Sequence, residues 1–282
     1  TSMTQNEIQA FWDAHPCGEE FVEQLTDDYE VFFSAYDRFR YRLEGHIPRI
    51  LDDFDLDGKD VLEIGLGQGA DSEQLVRRGA LWSGVDISWQ SAARVRARFH
   101  LRELPCRGII QGSAVNLPFS DESFDLVFSH GVLHHIPEID QAQREISRVL
   151  RPSGTLLMMV YAKGSLNYLA SIWVIRRAVL ALLYFYPGEL RGKVGEHVEN
   201  ARMAGLLEYL KMSNFLNKNT DGPQNPYSRV YTLNQIKNVF SEFHITGCKK
   251  HFRHAPPLPV AWIPFERLWG WHLWVCASRR SG

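Results

Sequence analysis

Apolar residues recur with different periods on the two sides of residue 58. In the first part, Phe32, Tyr36 and Phe39 are three or four positions apart, and this spacing predicts helices across residues 5–53. In the second part, short apolar runs bounded by glycine or polar residues predict strands. Five such strands are predicted, at residues 61–64, 81–87, 108–111, 124–129 and 155–161.

Helices are predicted between these strands. The segments are residues 71–78, 89–101 and 137–150, and Ser88 is placed to cap the second of them. Because strand and helix alternate five times within about 100 residues, the pattern specifies a parallel sheet covered by helices on both faces.

The alternation stops after residue 161. Residues 165–216 predict a helical insertion after the fifth strand, and residues 217–226 predict a turn-rich loop. A short helix is then predicted over 232–240. Two late strands, at 244–252 and 271–277, are separated by a Pro-rich segment without a helix, so we expect an antiparallel pair at the sheet edge.

These elements divide the chain into four parts. We expect an N-terminal helical cover (1–57), an α/β core (58–162), a helical insertion or cap (163–230) and a C-terminal segment that completes the sheet (231–282).

Composition restricts the class of protein. The 282 residues hold 31 basic and 33 acidic side chains, and this net charge of -2 argues against a dedicated nucleic-acid binder. Four cysteines without short-range spacing are typical of reduced thiols in the cytoplasm. The longest apolar stretch, 166–186, has Arg176 and Arg177 at its centre, which argues against stable membrane insertion. The polar first ten residues carry no targeting pattern, so we expect a cytoplasmic protein.

Charge is unevenly distributed along the chain. Residues 1–57 carry 14 acidic and 4 basic side chains, a net charge of -10, whereas residues 150–282 carry 7 and 17, a net charge of +10. Two interpretations are open: the two ends of the chain pack against each other, or a basic face meets an anionic substrate or a membrane surface.

A glycine-rich turn joins the first predicted strand to the helix after it. Gly65, Gly67 and Gly69 permit a tight turn and a close approach of a ligand to the backbone. Asp86 follows Gly65 by 21 residues, where a carboxylate can bind both ribose hydroxyls of an adenosine. The same spacing fits a nicotinamide dinucleotide, so an oxidoreductase is an alternative. Glu63 beside the turn would repel a pyrophosphate, but not S-adenosylmethionine (SAM), which carries a sulfonium and an ammonium.

The stretch from Leu117 to Pro137 favours SAM. It reads LPFSDESFDLVFSHGVLHHIP, and it lies between Asp86 and a Leu-Arg-Pro-Ser-Gly-Thr-Leu run at 150–156. With these motifs the chain resembles the class I SAM-dependent methyltransferases, in particular the branch of ubiquinone and menaquinone biosynthesis. The resemblance covers residues 58–162. It implies a Rossmann-like α/β fold: a seven-stranded, mainly parallel sheet with an antiparallel last strand.

The resemblance also implies a set of cofactor contacts. The cofactor-binding residues are then Glu63, Gly65, Gly67, Gly69, Asp86, Ile87, Trp89, Ser113, Ala114 and His130. Glu63 should lie near the ammonium of SAM, Asp86 at its ribose and His130 near its sulfonium. Ile87 and Trp89 should lie near the adenine. Ser113 departs from the acidic residue that the family usually has there, which weakens its hydrogen bond to the adenine.

Methyl transfer requires alignment of the reactants, exclusion of water and, for some acceptors, removal of a proton. His134 and His135, just past the fourth strand, are the candidate catalytic residues for the last of these; alternatively they are structural residues that order the loop. No third residue at metal-ligand spacing accompanies them, so no metal is predicted. The candidate acceptor-binding residues are Tyr29, Tyr36, Trp173 and Tyr227.

The acceptor is expected to be a small and largely apolar molecule. Segment 166–186 carries apolar residues around much of a helix circumference, which indicates either a lid over such a molecule or an ordinary helical subdomain. We therefore expect a SAM-dependent methyltransferase that gives a methylated product and S-adenosylhomocysteine, without a nucleic-acid partner. A nicotinamide-dependent oxidoreductase and a non-catalytic SAM-binding partner module are the alternatives. The residues do not indicate an oligomeric state.

Overall fold

The computed structural model describes residues 5–16 and 28–280. Its centre is one seven-stranded sheet with the strand order β3-β2-β1-β4-β5-β7-β6. The strands are β1 (Asp60–Ile64), β2 (Leu81–Asp86), β3 (Gly108–Gln111), β4 (Phe124–His130), β5 (Leu150–Tyr161), β6 (Phe243–His251) and β7 (His272–Arg279). Neighbours among β1 to β5 are parallel, and β7 is antiparallel to both β5 and β6. The predicted fold class is confirmed.

Helices cover this sheet. They are α1 (Gln5–Ala14), α2 (Tyr29–Leu43), α3 (His46–Leu51), α4 (Ala70–Arg77), α5 (Trp89–Leu101), α6 (Ile139–Val149), α7 (Arg177–Tyr184), α8 (Gly192–Ala204), α9 (Leu206–Tyr209), α10 (Met212–Thr220), α11 (Leu233–Val239) and α12 (Glu266–Trp269). A π-helical segment, Asn167–Arg176, leads directly into α7. Part of the predicted N-terminal cover, residues 17–27 with Cys17, lies outside the described residues.

Both faces of the sheet are buried. Alternate residues of β1 point to opposite sides, so that Leu62 and Ile64 join one apolar core and Val61 joins the other. In β5, Leu156 and Met158 lie on the first side and Leu157 on the second. Parallel strands joined by helices bury both faces of their sheet, because the connecting helices cover each face.

Side-chain hydrogen bonds cap the N-termini of two predicted helices, α5 and α11. The Ser88 hydroxyl accepts a hydrogen bond from the backbone N–H of Ser91 at 3.2 Å, which confirms Ser88 as the cap of α5. At α11, Thr232 and Gln235 form a reciprocal capping box.

Two predicted connections differ from the structure. Helix α10 continues to Thr220, inside the segment predicted as a loop, and ends just before Gly222. The connection between β6 and β7 is not free of helix, because α12 follows its Pro-rich part. In addition, β7 lies between β5 and β6, so that only β6 of this pair forms the sheet edge.

Helix α2 is attached to α5 by ion pairs. The buried Arg98 of α5 contacts Asp37 of α2 and, at 2.8 Å, Glu73 of α4. Arg102 lies 3.0 Å from Asp37 and 3.1 Å from Glu30. The acidic N-terminal segment therefore pairs with basic residues of the middle of the chain.

Among the described residues, no helix combines the length and the apolar character that crossing a bilayer requires. The apolar segment at 166–186 is instead divided between the π-helical segment and α7. The division into four parts stays a prediction.

Candidate active site

A cavity opens at the carboxyl ends of β1, β2, β4 and β5, where open α/β sheets bind their ligands. It measures about 1300 Å³ when the space open to solvent at its mouth is included. Helices α1 and α2 contribute Ile8, Trp12, Tyr36 and Arg40 to its wall. The cavity is thus built from segments that are distant in sequence.

The glycine turn after β1 forms one wall of the cavity. Gly65 has φ +81° and Gly67 has φ +50°, both in the left-handed region that favours glycine. A Cβ atom on Gly65 would lie 2.0 Å from Cγ2 of Val132, which belongs to the loop after β4 (the β4 loop). The turn therefore also needs glycine here because it lies so close to this loop. The backbone N–H of Gly65 donates to Val85 O at 2.8 Å, which fixes the turn against β2.

Asp86 stands at the end of β2 and binds the glycine turn directly. Its carboxylate accepts hydrogen bonds from the backbone N–H groups of Leu66 at 2.6 Å and Ser88 at 2.8 Å. Burial raises the pKa of Asp86 to about 6, against the lowering effect of these donors. The side chain lines the cavity, so its remaining lone pairs can bind ligand hydroxyls.

Glu63 is a buried carboxyl group at the end of β1. It accepts a hydrogen bond from Nε1 of Trp82 at 2.9 Å, and burial raises its pKa to about 8. A cation entering the cavity would favour its ionised form. The ammonium of SAM is such a cation.

Acidic groups dominate the cavity wall. Among the described lining residues, six carboxyl groups face one guanidinium, that of Arg40; the acids are Glu44, Glu63, Asp71, Asp86, Glu138 and Asp221. This imbalance favours a cationic ligand without phosphate groups and disfavours a pyrophosphate. The residues present therefore fit SAM and do not fit a nicotinamide dinucleotide.

Arg40 is bound by protein acids rather than left for a ligand carboxylate. It lies 2.5 Å from Asp71 and 3.1 Å from Glu44. The Tyr41 hydroxyl also donates to Asp71, at 3.0 Å. The Arg40 nitrogen that pairs with Asp71, Nη2, also lies 3.0 Å from Nδ1 of His130. Burial, together with the Arg40 charge, keeps the pKa of His130 well below its ordinary value, so this ring is neutral beside the cavity.

A second group of polar residues lies at the other end of the cavity. Nε2 of His135 is 3.3 Å from a carboxylate oxygen of Asp221, and Nδ1 of His135 is 2.7 Å from Tyr227 O. The Tyr161 hydroxyl donates to the other oxygen of Asp221 at 2.8 Å. The ring of His134 packs on Tyr161 with centroids 3.9 Å apart.

Comparison with known proteins agrees with this geometry. Residues 62–158 match the family model of a methyltransferase domain. A SAM-dependent methyltransferase from Aquifex aeolicus has the same fold, with a TM-score of 0.53 at 13% identity over 90% of this chain and 100% of that one. Residues 62–158 thus form a methyltransferase domain. Its predicted cofactor type is thereby confirmed, while the ubiquinone and menaquinone branch stays a prediction.

Curated relatives match about a third of this chain. A fatty-acid O-methyltransferase of Mycolicibacterium smegmatis is 37% identical over 105 residues, which are 36% of this chain and 37% of the relative. A phthiotriol/phenolphthiotriol dimycocerosates methyltransferase of Mycobacterium ulcerans is 38% identical over 105 residues, 36% of this chain and 38% of the relative. The match thus spans little more than a third of the length of these relatives.

Most predicted cofactor residues of the methyltransferase domain meet at the cavity. The predicted residues that line it are Glu63, Gly65, Gly67, Asp86, Ile87, Ser113, Ala114 and His130, with Tyr36 and His135. Gly69 instead caps α4 with φ +76°. Trp89 is exposed and carries the Arg96 guanidinium over its ring.

Four further predicted residues lie outside the cavity wall. Tyr29 is exposed and stacks on Phe33. Trp173, in the π-helical segment, is 53% exposed. Tyr227 contributes its carbonyl oxygen to His135 rather than its ring to the cavity. His134 is fully buried behind the wall.

Several wall residues are missing from the sequence-based prediction. They are Trp12, Glu44, Asp71, Tyr161, Asp221 and His272. Asp71 directly follows the glycine turn, and this position could have indicated it. Asp221 belongs to an Asp-Gly-Pro run that is typical of an ordinary turn, so its sequence carries no signal of a site.

The raised pKa of Glu63 predicts how stability changes with pH. The folded-state value of about 8 lies above the ordinary value of 4.5, so the folded protein holds a proton that the unfolded chain has already lost. Stability is therefore expected to fall as pH rises through this window. We expect Glu63→Gln to flatten the decline between pH 6 and 8, measured by urea unfolding without ligand.

The exposed Glu242 provides the matched control for this measurement. Glu242→Gln should leave the slope between pH 6 and 8 unchanged. Parallel curves for Glu63→Gln and the unmodified protein would show that Glu63 is not the group that loses its proton.

Proposed function

We propose that the chain transfers the methyl group of SAM to an oxygen atom of a lipid-like small molecule. The observation that carries this proposal is the division of the cavity into two ends. Glu63, Asp86 and the glycine turn lie at the ends of β1 and β2, whereas His135 follows β4 and Asp221 contacts Tyr161 of β5, on the other side of the strand order. A cationic cofactor and an apolar acceptor would thus meet in a single enclosure.

The cofactor end supplies binding and orientation. When bound, SAM brings a methyl group that its sulfonium already activates, so the protein must mainly align the reactants and exclude water. Glu63 would pair with the ammonium, and Asp86 would accept hydrogen bonds from the ribose. Since Asp86 also binds the backbone of Leu66, it couples the ribose site to the position of the glycine turn.

The acceptor end supports a lipid-like molecule. Apolar residues that line the cavity include Ile8, Trp12, Ile136, Pro137 and Met159, and the ring centroid of Trp12 lies 5.1 Å from that of His135. The curated relatives are named for fatty acids and for phthiotriol-type lipids. An oxygen acceptor would lie beside His135 and Asp221, the polar groups of this end. Burial of an alkyl chain here contributes about 25 cal/mol per Å² of apolar surface, which favours long acceptors over short ones.

The purified full chain tests this proposal with methyl-labelled SAM. The acceptor panel pairs a long-chain fatty acid and a long-chain alcohol with short-chain counterparts and a long-chain amine. We expect label in a long-chain methyl ester or ether, identified by mass spectrometry. Label on the amine alone, or no transfer to any oxygen while SAM binds one per chain, would refute the proposal.

Two variants connect this activity to the described site. Asp86→Ala removes its charged hydrogen bonds to the ribose at a total cost of about 1.5–3 kcal/mol, so we expect the Kd for SAM to rise by about 10- to 150-fold. Asp121→Ala removes an exposed carboxylate that pairs with Arg148, far from the cavity, and should leave the Kd unchanged. Calorimetry measures both values.

A further inference from the structure

Two histidines and a carboxylate converge beside the acceptor end of the cavity. His134 and His135 belong to the 3₁₀ turn Leu133–His135 after β4, and Asp221 follows α10. One donor atom from each lies within 4.8 Å of the other two. Residues separated by more than 80 positions in the sequence are thus brought to one point.

The contact between His135 and Asp221 requires a cation. Nδ1 of His135 lies 2.7 Å from Tyr227 O, and a carbonyl oxygen only accepts, so Nδ1 carries the proton. In the neutral ring, Nε2 then presents its lone pair to the Asp221 oxygen 3.3 Å away. Two acceptors facing each other at this distance need a proton or a metal ion between them.

The distance between Nε2 of His135 and the Asp221 oxygen is that expected for two ligands of one metal ion. Ligands bound to zinc at about 2.0–2.1 Å in tetrahedral geometry lie roughly 3.3–3.4 Å apart, as Nε2 and the Asp221 oxygen do. The bond from Nδ1 to a backbone carbonyl is the outer contact that metal-binding histidines commonly make. The Tyr161 hydroxyl likewise binds the second oxygen of Asp221, at 2.8 Å, and orients the carboxylate.

His134 provides an independent observation. Its ring is fully buried, and neither ring nitrogen has a hydrogen-bond partner among the described residues. A buried imidazole without partners is costly, because both nitrogens have lost water. A metal ion beside His135 would satisfy one of them.

We propose that His134, His135 and Asp221 bind a divalent first-row transition metal ion such as Zn²⁺. Two neutral imidazoles and one carboxylate are three protein ligands, a set that leaves a fourth position open in tetrahedral sites with a reacting ligand. His135 and Asp221 line the cavity, so this position faces the acceptor end. If the proposed function holds, the ion would bind the acceptor oxygen, lower its pKa and offset the negative charge of the surrounding acids.

Metal binding is tested on the full chain with Zn²⁺ and Co²⁺ alone. We expect one ion per chain by equilibrium dialysis, and for Co²⁺ the visible absorption of a four-coordinate site. His134→Gln and Asp221→Asn should each weaken binding at least about tenfold. Asp221→Asn keeps an oxygen that can accept from Tyr161. The control is His197→Gln, because His197 is a partly buried histidine that contacts the Tyr209 hydroxyl outside the cavity.

X-ray absorption of the zinc-loaded unmodified protein identifies the ligands even where a variant does not fold. Scattering from two imidazoles and no sulfur is expected. Sulfur ligands would place the ion at cysteines such as Cys248 and Cys276, on the paired strands β6 and β7, and would overturn the proposal. Absence of binding by the folded protein, or equal binding by both ligand variants and the control, would do the same.

The metal site and the proposed methyl transfer fail in distinguishable ways. If methyl transfer persists in protein that binds no metal, the metal site is overturned and the proposed function is retained. Stoichiometric metal binding through two imidazoles, without transfer to any oxygen acceptor, retains the site and overturns the proposed function.

Discussion

Replacement of Arg98 by alanine is expected to destabilise the protein by about 3–5 kcal/mol, the cost of removing one partner from a buried ion pair. The Arg98 side chain is 1% exposed and lies between Asp37 of α2 and Glu73 of α4. Its guanidinium also donates to the backbone oxygen of Gln68 at 3.1 Å. Without it, the buried Glu73 would keep fewer partners. Urea unfolding at neutral pH measures the change.

Arg77→Ala is the matched control for this prediction. Arg77 also pairs with Glu73, at 2.7 Å, but its side chain is 55% exposed. Exposed pairs contribute about 0–1 kcal/mol, so its loss should have little effect. Similar changes in the free energy of unfolding for the two variants would mean that burial does not determine how much these arginines contribute.

Because α2 carries Tyr36 and Arg40 of the cavity wall, Arg98→Ala should also weaken SAM binding.

The sequence predicts the parts of this fold that local patterns determine. Four of the five core strands begin within a few residues of their predicted starts. The exception is β5, which begins five residues early, at Leu150. There Leu150 pairs with Phe124 before the register between β4 and β5 shifts. The glycine turn and Asp86 are likewise predictable, because the backbone geometry at Gly65 and the acceptor at the end of β2 depend on residue types at fixed spacing.

The other half of the site depends on contacts that no spacing predicts. Arg40 and Asp71 are 31 positions apart, and His135 and Asp221 are 86 apart. Nothing in the Asp-Gly-Pro turn distinguishes Asp221 from a solvent-exposed turn residue. In the sequence no third ligand lies near His134 and His135, and only the fold brings Asp221 to these histidines.

Apolar character in the insertion does not distinguish a cavity wall from a surface. Leu182 and Phe185 are each 76% exposed, while Ile172 is fully buried in the same segment. The sequence shows only that apolar residues surround the helix axis. The hypothesis that Trp173 binds the acceptor therefore lacks support from the cavity, which α1 and the β4 loop enclose instead.

Gly65→Ala is expected to destabilise the protein by about 2–6 kcal/mol and to weaken SAM binding at least tenfold. The φ of +81° strains any other residue, at a cost of about 1–3 kcal/mol. A Cβ atom 2.0 Å from Val132 Cγ2 adds an overpacking cost of about 1–3 kcal/mol. Relief requires the turn to move away from the β4 loop, which displaces the backbone that binds Asp86. Urea unfolding and calorimetry with SAM measure the two effects.

Gly58→Ala separates the two costs. Gly58 has φ +66°, and a Cβ atom there would meet no other atom within 4 Å, so this variant carries the backbone strain without the collision. It should lose less stability than Gly65→Ala and keep its affinity for SAM. Adding Val132→Ala to Gly65→Ala removes the two methyl groups of the collision and should recover part of the stability. Equal losses at Gly58 and Gly65, without recovery in the double variant, would show that the contact with Val132 does not hold the turn in place.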